Sequence, residues 1–356
     1  MQTRNQSLDI LRGIAVLMVI VSHYSGLLSK PSALLETGWV GVDLFFVLSG
    51  FLISGLLFSE FKKTGVMNLK LFWVRRGFKI YPSFYALLAL TAGFAFITKN
   101  RVPSALLWES LFLQNYFTHF WPHTWSLAVE EHFYFALPVL LLFLARIQKN
   151  QENPFRVIPF ISMGLSLLCF CLRWYALEHG RDWAHIAFPT HLRIDALFAG
   201  VTLGYYSHFD QESFREARKP WFLAIGLITF ASFFVMPDVP RLTFAYVGFS
   251  FIVAWAVNQP ESAHRLSRVL ARIGCYSYSI YLWHFAVFVA LTRATAHWFR
   301  FPAYVVGAIV MGVLMAKLFE LPTLKLRDRI FPSITRVPTP RMHSVAPRAG
   351  AIKGIA

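Results

Sequence analysis

Among the ionisable side chains that interrupt long apolar segments, six stand out: His23, Asp43, Glu130, Arg193, Asp195 and His284. Their types suggest a chemistry. An imidazole beside a carboxylate is the pairing of a general base with the group that orients it. Such a pair takes the proton from a hydroxyl as its oxygen attacks a carbonyl, with Asp43 or Glu130 holding one nitrogen of His23 and leaving the other basic. Arg12 stands eleven residues before His23, about three helical turns and about 16 Å along the axis, so both project from one helix face. A second cluster, Arg75, Arg76 and Lys79, lies in the run Trp73-Val-Arg-Arg-Gly-Phe-Lys-Ile-Tyr-Pro82. On a helix Arg75 and Lys79 share a face with Arg76 beside them. That arrangement suits anionic lipid headgroups or the phosphates of a cosubstrate. No metal is expected. No span carries ligands at helical spacing, and Cys169, Cys171 and Cys275 lack metal-ligand spacing and read as buried free thiols.

The elements that must position these groups are membrane helices. Only 15% of the 356 residues are charged and 56% are hydrophobic, against about 25% charged in a soluble domain. A chain this apolar cannot cover a water-facing surface, which excludes a soluble enzyme, a disordered protein and a disulfide scaffold. Runs of the length needed to cross a bilayer occur at 8–28, 39–60, 78–98, 126–146, 157–178, 190–208, 220–236, 242–258, 273–293 and 302–321. The expected fold is all-α, a polytopic membrane protein of about ten helices. The first run lacks a convincing cleavage site and is read as retained. When the loops are assigned alternately to two sides, one side with both termini receives 24 of the 34 Lys and Arg residues and the other receives 7. The basic side is cytoplasmic, so both termini are expected there, in a multi-pass protein of the cytoplasmic (inner) membrane. The net charge of +16 then reports orientation, and no nucleic-acid partner is expected. Residues 1–331 form the membrane domain, and 332–356 read as a basic, Pro-containing disordered cytoplasmic tail. The aromatic-rich stretch 99–125 is too polar to span and reads as interfacial or re-entrant.

Threading the six ionisable groups onto these spans brings them to one depth in the outer half of the membrane. Charged groups in lipid are costly. One alone is as well explained by a structural hydrogen bond, but convergence of five spans on one layer points to a polar cavity. An acyl-transfer site and the proton relay of a secondary transporter or exporter both use such groups. Basic residues at the cytoplasmic mouth favour the enzyme, and no inverted repeat or midplane helix break supports the transporter.

Six motifs in order resemble the acyltransferase 3 family of integral-membrane O-acyltransferases. They are Leu8-Asp9-Ile10-Leu11-Arg12-Gly13 continuing to His23; Gly41-Val-Asp43 continuing to Ser49-Gly50-Phe51 and Ser54; Arg75-Arg76-x-x-Lys79-Ile-Tyr-Pro82, with lysine where arginine is more usual; Thr124-Trp125-Ser126-Leu-x-x-Glu130-Glu131-x-Phe133-Tyr134; Tyr276-Ser-Tyr-Ser279-Ile-Tyr281-Leu-Trp-His284; and Glu320-Leu-Pro322. Together they run from residue 8 to about 322. The resemblance implies transfer of an acyl group, usually acetyl, from cytoplasmic acyl-CoA to a hydroxyl of a polysaccharide or other glycosylated acceptor. It implies that His23 is essential and supported by Asp43, with Glu130 in a second acid/base or acceptor role. Arg12, Arg75, Arg76 and Lys79 would contact the CoA phosphates or the pantetheine entry, and Ser49 the thioester arm. Trp125, Ser126, Arg193, Asp195, Tyr281 and His284 complete the expected acceptor side, where Trp125, Tyr281 and Trp283 suit stacking on a sugar. Glu320 is expected to pair with Arg12. Relatives often carry a further extracytoplasmic domain, and a short tail here suggests the form without one. The lipid bilayer, acyl-CoA and a carbohydrate acceptor are the expected partners, with oligomerisation left open.

Overall fold

Apolar runs in lipid find no water for their backbone groups and must close their hydrogen bonds within each segment, as helices. The computed structural model describes residues 5–25, 33–99, 101, 103–148, 153–292 and 299–332, which form helices and turns with no strand among them. The principal helices are α1 (Gln6–Ser25), α2 (Gly41–Thr64), α3 (Leu69–Ile97), α4 (Trp125–Ile147), α5 (Ile158–Glu178), α6 (Ile194–Phe209), α7 (Pro220–Ser232), α8 (Asp238–Val257), α9 (Arg265–Cys275), α10 (Ser277–Thr292), α11 (Arg300–Met315) and α12 (Leu321–Ile330). Every predicted run contains a helix. Among the described residues seven segments are long and apolar enough to cross a membrane, or eight when α9 and α10, which meet at 76°, count as one bent span. The chain is thus an all-α multi-pass membrane protein. The expected ten spans exceed that number, because α6 has 16 residues and α7 only 13, short of the roughly 20 that a bilayer core requires.

Small residues set the closest helix contacts, as they do where helices associate in lipid. A Cβ at Gly50 would lie 1.9 Å from the Leu197 carbonyl oxygen, and one at Gly200 2.1 Å from that of Val47. Any side chain there would push α2 and α6 apart. Gly13 and Gly274 do the same for α1 and α9, since a Cβ at Gly274 would sit 1.7 Å from the Asp9 carbonyl oxygen. These two contacts draw α1 and α2, which carry Arg12, His23, Asp43 and Ser49, against their neighbours.

Local sequence fixes the other helices that build the site. α2 ends at Gly65 in the left-handed region (φ 72°), and the Asn68 side chain then caps α3 by accepting from Leu71 N at 2.9 Å. A turn of π-helix at Ala316–Glu320 joins α11 to α12 and buries Glu320. Of the three thiols, Cys169 is buried and Cys275 half-buried, whereas Cys171 is exposed on α5. The expectation of three buried thiols therefore fails at Cys171. The expected tail, apart from Pro332, lies outside the described residues.

Candidate active site

Five helices meet around a cavity of about 70 Å³. α1 contributes Arg12; α2 Val42, Phe45, Phe46, Leu48 and Ser49; α3 Arg76, Lys79 and Ile80; α4 Ser126, Leu127 and Glu130; α10 Ser277, Tyr278 and Tyr281. A space this size holds a few waters or a slender chain, not a nucleotide. Three cations line it against a single lining carboxylate, Glu130. They differ in their ties. Lys79 is held by Glu320, which also accepts from Ser279 Oγ at 2.7 Å. Arg76 donates to the Tyr134 hydroxyl and lies 4.0 Å over that ring, and the same hydroxyl is 2.5 Å from Ser49 Oγ. Glu130 faces the Ser49 and Tyr134 hydroxyls. Arg12 makes no hydrogen bond or ion pair among the described residues. The cavity therefore contains one guanidinium without a partner, a site for an anionic or strongly hydrogen-bonding group.

Opposite the cations, the cavity ends at a hydrogen bond between Ser126 Oγ and the Tyr281 hydroxyl (2.7 Å), which also donates to the His123 carbonyl at 2.7 Å. Beyond Tyr281 lie three imidazoles. His23 Nδ1 is 3.0 Å from the Val19 carbonyl and 3.3 Å from His284 Nε2. His284 Nδ1 is 2.5 Å from the Tyr281 carbonyl, and His123 Nε2 is 3.1 Å from that of Leu282. The His23 and His284 rings are 5.0 Å apart, and those of His123 and His284 4.9 Å. His23 is partly exposed and His284 fully buried.

His123 is delivered by the aromatic stretch expected to be interfacial or re-entrant. Glu109, on the short helix Ala105–Ser110, accepts through one oxygen from Phe120 N (3.0 Å), Trp121 N (2.7 Å) and Thr124 Oγ1 (3.2 Å). Gln114 Nε2 adds a bond to the Thr124 carbonyl at 2.8 Å. Together these fold residues 109–124 into a turn that presents His123 inward. Burial raises the Glu109 carboxyl above its ordinary range, against the opposing effect of its three donors.

The structure corrects several expected pairings. Asp43 does not orient His23: its Oδ1 accepts from Arg193 Nη2 at 2.7 Å, because α6 packs against α2 and brings the guanidinium to it. Arg193 and Asp195 do not line the cavity. Arg193 is tied to Asp43 over the rings of Phe46 and Trp125, and Asp195 accepts from Arg173 at 2.7 Å. Trp125 is buried between Phe188, stacked at 4.8 Å, and Phe46, so its ring faces are not presented to a sugar. Trp283 is also buried, with Nε1 on Ser83 Oγ at 3.3 Å. Glu320 pairs with Lys79 rather than Arg12. Arg75 leaves the cavity for Asp328 (3.1 Å) and the Phe331 carbonyl: it lies about 100° round the helix from Arg76 and about one turn before Lys79.

Arg12, Ser49, Arg76, Lys79, Ser126, Glu130 and Tyr281 do converge on one cavity, with His23 and His284 beyond it. Sequence reasoning passed over His123, and gave no role to Tyr134 and Tyr278 although both stand within the motifs that carry the resemblance. His123 lies one residue ahead of the Thr124-Trp125-Ser126 motif, a signal available in the sequence.

Comparison with known proteins fits this arrangement. The chain is 32% identical over 313 residues to the "Putative O-acetyltransferase" of Staphylococcus aureus strain COL, covering 79% of this chain and 50% of that protein, and equally to its counterpart in strain MSSA476. It is 28% identical over 348 residues to O-acetyltransferase OatA of S. aureus strain NCTC 8325, covering 87% of this chain and 55% of OatA. The chain thus spans about half the length of these curated relatives. No solved structure matches it. Residues 5–319 match the Acyltransferase domain model, and the chain belongs to the acyltransferase 3 family.

Proposed function

We propose that this chain is a membrane O-acyltransferase that moves an acetyl group from cytoplasmic acetyl-CoA to a hydroxyl of a glycan, lipid-linked sugar or other glycosylated acceptor. The observation that carries this reading is the cavity itself. It runs from an unpartnered Arg12 beside Arg76 and Lys79 to Ser126 and Tyr281, with His23 just beyond. Its narrow section suits the slender thioester arm of the donor, with the nucleotide and its phosphates outside. Arg12 and Arg76 offer forked donors to phosphate or amide oxygens there, and Lys79 a point charge. The names of the staphylococcal relatives, both O-acetyltransferases, support acetyl as the transferred group.

His23 is the base. A carbonyl oxygen only accepts, so Val19 O holds the proton on His23 Nδ1 and leaves the Nε2 lone pair for chemistry. The acceptor hydroxyl gives its proton to Nε2 as its oxygen bonds the thioester carbonyl carbon. The C–S bond then breaks, and the proton passes from His23 to the departing sulfur. Tyr281 and Ser126 stand between donor cavity and imidazole; Tyr281 keeps its proton on the His123 carbonyl, and Ser126, by rotating its hydroxyl proton away from Tyr281, can donate to the oxygen on which charge develops. In this reading the protein sits in the cytoplasmic membrane with the cations toward the cytoplasm.

The test uses membranes containing the full chain, radiolabelled acetyl-CoA and the acceptors those membranes hold. His23→Ala is expected to abolish labelling of the product while the protein remains inserted and as thermally stable as the parent. Retained labelling removes His23 from the reaction.

A further inference from the structure

We propose that His284, backed by His123, is the positioning residue for His23, so that the base is oriented by a neutral imidazole where a carboxylate was expected. This rests on the reading of His23 as the base. The hydrogen bonds determine the tautomers. His284 Nδ1 faces the Tyr281 carbonyl at 2.5 Å, and two lone pairs cannot approach so closely, so Nδ1 carries the proton and donates. In the neutral ring Nε2 is then an acceptor. It faces His23 Nδ1 at 3.3 Å. His23 Nδ1–H is therefore shared between two acceptors, the Val19 carbonyl and His284 Nε2. When His23 takes the acceptor's proton on Nε2, the resulting cation already has both acceptors in place, and nothing must turn to receive it.

His123 holds the other side. Its Nε2 donates to the Leu282 carbonyl, and its ring stands edge-on to His284 at 70°. Tyr281 anchors the same unit by its hydroxyl to the His123 carbonyl and by its own carbonyl to His284. The His284 ring is thus fixed by one hydrogen bond along its plane and one imidazole against it. His284 is 0% exposed. A carboxylate at this position would be a buried charge whenever His23 is neutral, a cost that a neutral imidazole avoids. The carboxylate expected in this role, Asp43, is committed to Arg193.

Three substitutions separate this role from simple packing. His284→Gln can place an amide oxygen near the Nε2 position and keep an acceptor for His23. His284→Asn keeps a donor for the Tyr281 carbonyl but does not reach His23, and His284→Leu keeps neither. In membranes with radiolabelled acetyl-CoA, His284→Leu and His284→Asn are expected to lower the rate at saturating acetyl-CoA about 100-fold or more, with the KM for acetyl-CoA within about threefold of the parent. His284→Gln is expected to recover to within about tenfold. Rescue by Asn but not Gln would make His284 only an anchor for α10 and overturn the proposal. So would equal loss in all three variants, or a rate in His284→Leu within threefold of the parent. His23→Ala run in parallel keeps the two readings apart: if it retains transfer, the base assignment fails. If it is inactive while His284→Leu is not, only the positioning role fails.

Discussion

Two groups of charges lie within the helix bundle, and their side-chain types are the same. Between α2, α5 and α6 the pairs Asp43–Arg193 and Asp195–Arg173 are closed, each at 2.7 Å, with all four residues at most 1% exposed. Around the cavity, Arg12, Arg76, Lys79 and Glu130 are all partly exposed, and Arg12, although in the field of Asp9 and Glu130, forms no ion pair or hydrogen bond among the described residues. The first group pairs its charges internally and away from the cavity, although Asp43 Oδ2, Arg173 Nε and Arg193 Nε and Nη1 are left without hydrogen-bond partners among the described residues. The second holds more positive than negative charge and keeps room next to it. Burial and cost in lipid therefore do not distinguish a structural charge from a functional one. The difference is whether a partner is supplied by the protein or left for a ligand.

The largest effect that tests this contrast belongs to the closed group. Asp43→Leu strands the Arg193 guanidinium and is expected to destabilise the detergent-solubilised protein by about 3–5 kcal/mol. The double variant Asp43→Leu with Arg193→Met removes both charges and is expected to return most of that stability, as buried pairs replaced by apolar residues commonly do. Transfer per folded molecule should change by less than about threefold in the double variant. A double variant that is stable but inactive would place Asp43 in the chemistry and dissolve the distinction.

Next comes Arg12, on the open side. Arg12→Gln removes a cation on which no hydrogen bond or ion pair among the described residues depends, so unfolding should change little. The loss should appear in kcat/KM for acetyl-CoA, about 1.5–3 kcal/mol or roughly 10- to 150-fold, the range for a hydrogen bond to a charged group. An Arg12→Gln protein that unfolds easily yet retains its kcat/KM would make Arg12 another structural charge.

The same contrast explains what was legible in the sequence. Apolar runs located a helix in every segment, although two of those helices, α6 and α7, are shorter than the spans read there, and residue count along each run gave an expected depth for each ionisable group. Depth alone could not tell that Ser49 lines the cavity while Asp43, six residues before it, does not, because partner choice depends on helix rotation and on which helix lies opposite. Asp43 meets Arg193 across 150 positions of sequence through the Gly50–Gly200 contact, and no local pattern encodes that azimuth. His123 escaped for a different reason. It precedes the apolar run of α4 and enters the bundle only because Glu109 and Gln114 fold the segment before it inward. The motifs that carry the family resemblance did locate the cavity residues: five of the six place between one and five residues on its wall, and the sixth supplies Glu320, which holds Lys79.

Arg75 provides the smallest effect and the sharpest use of the contrast. Sequence spacing groups it with Arg76 and Lys79 as one basic clamp, but the helix turns it to Asp328 and the Phe331 carbonyl, with 20% of its side chain exposed. An ion pair in contact with solvent contributes less than about 1 kcal/mol, and Arg75 does not line the cavity. Arg75→Gln is therefore expected to change the KM for acetyl-CoA by less than about fivefold. Arg76→Gln should raise it well beyond that, because Arg76 lines the cavity and holds the Tyr134 hydroxyl that touches Ser49. Comparing the two variants in the same membranes cancels differences in acceptor supply. If Arg75→Gln raises the KM as much as Arg76→Gln does, the donor extends beyond the cavity mouth to the α12 end of the bundle. The boundary between structural and ligand-facing charge would then have to be redrawn to include the Arg75–Asp328 pair.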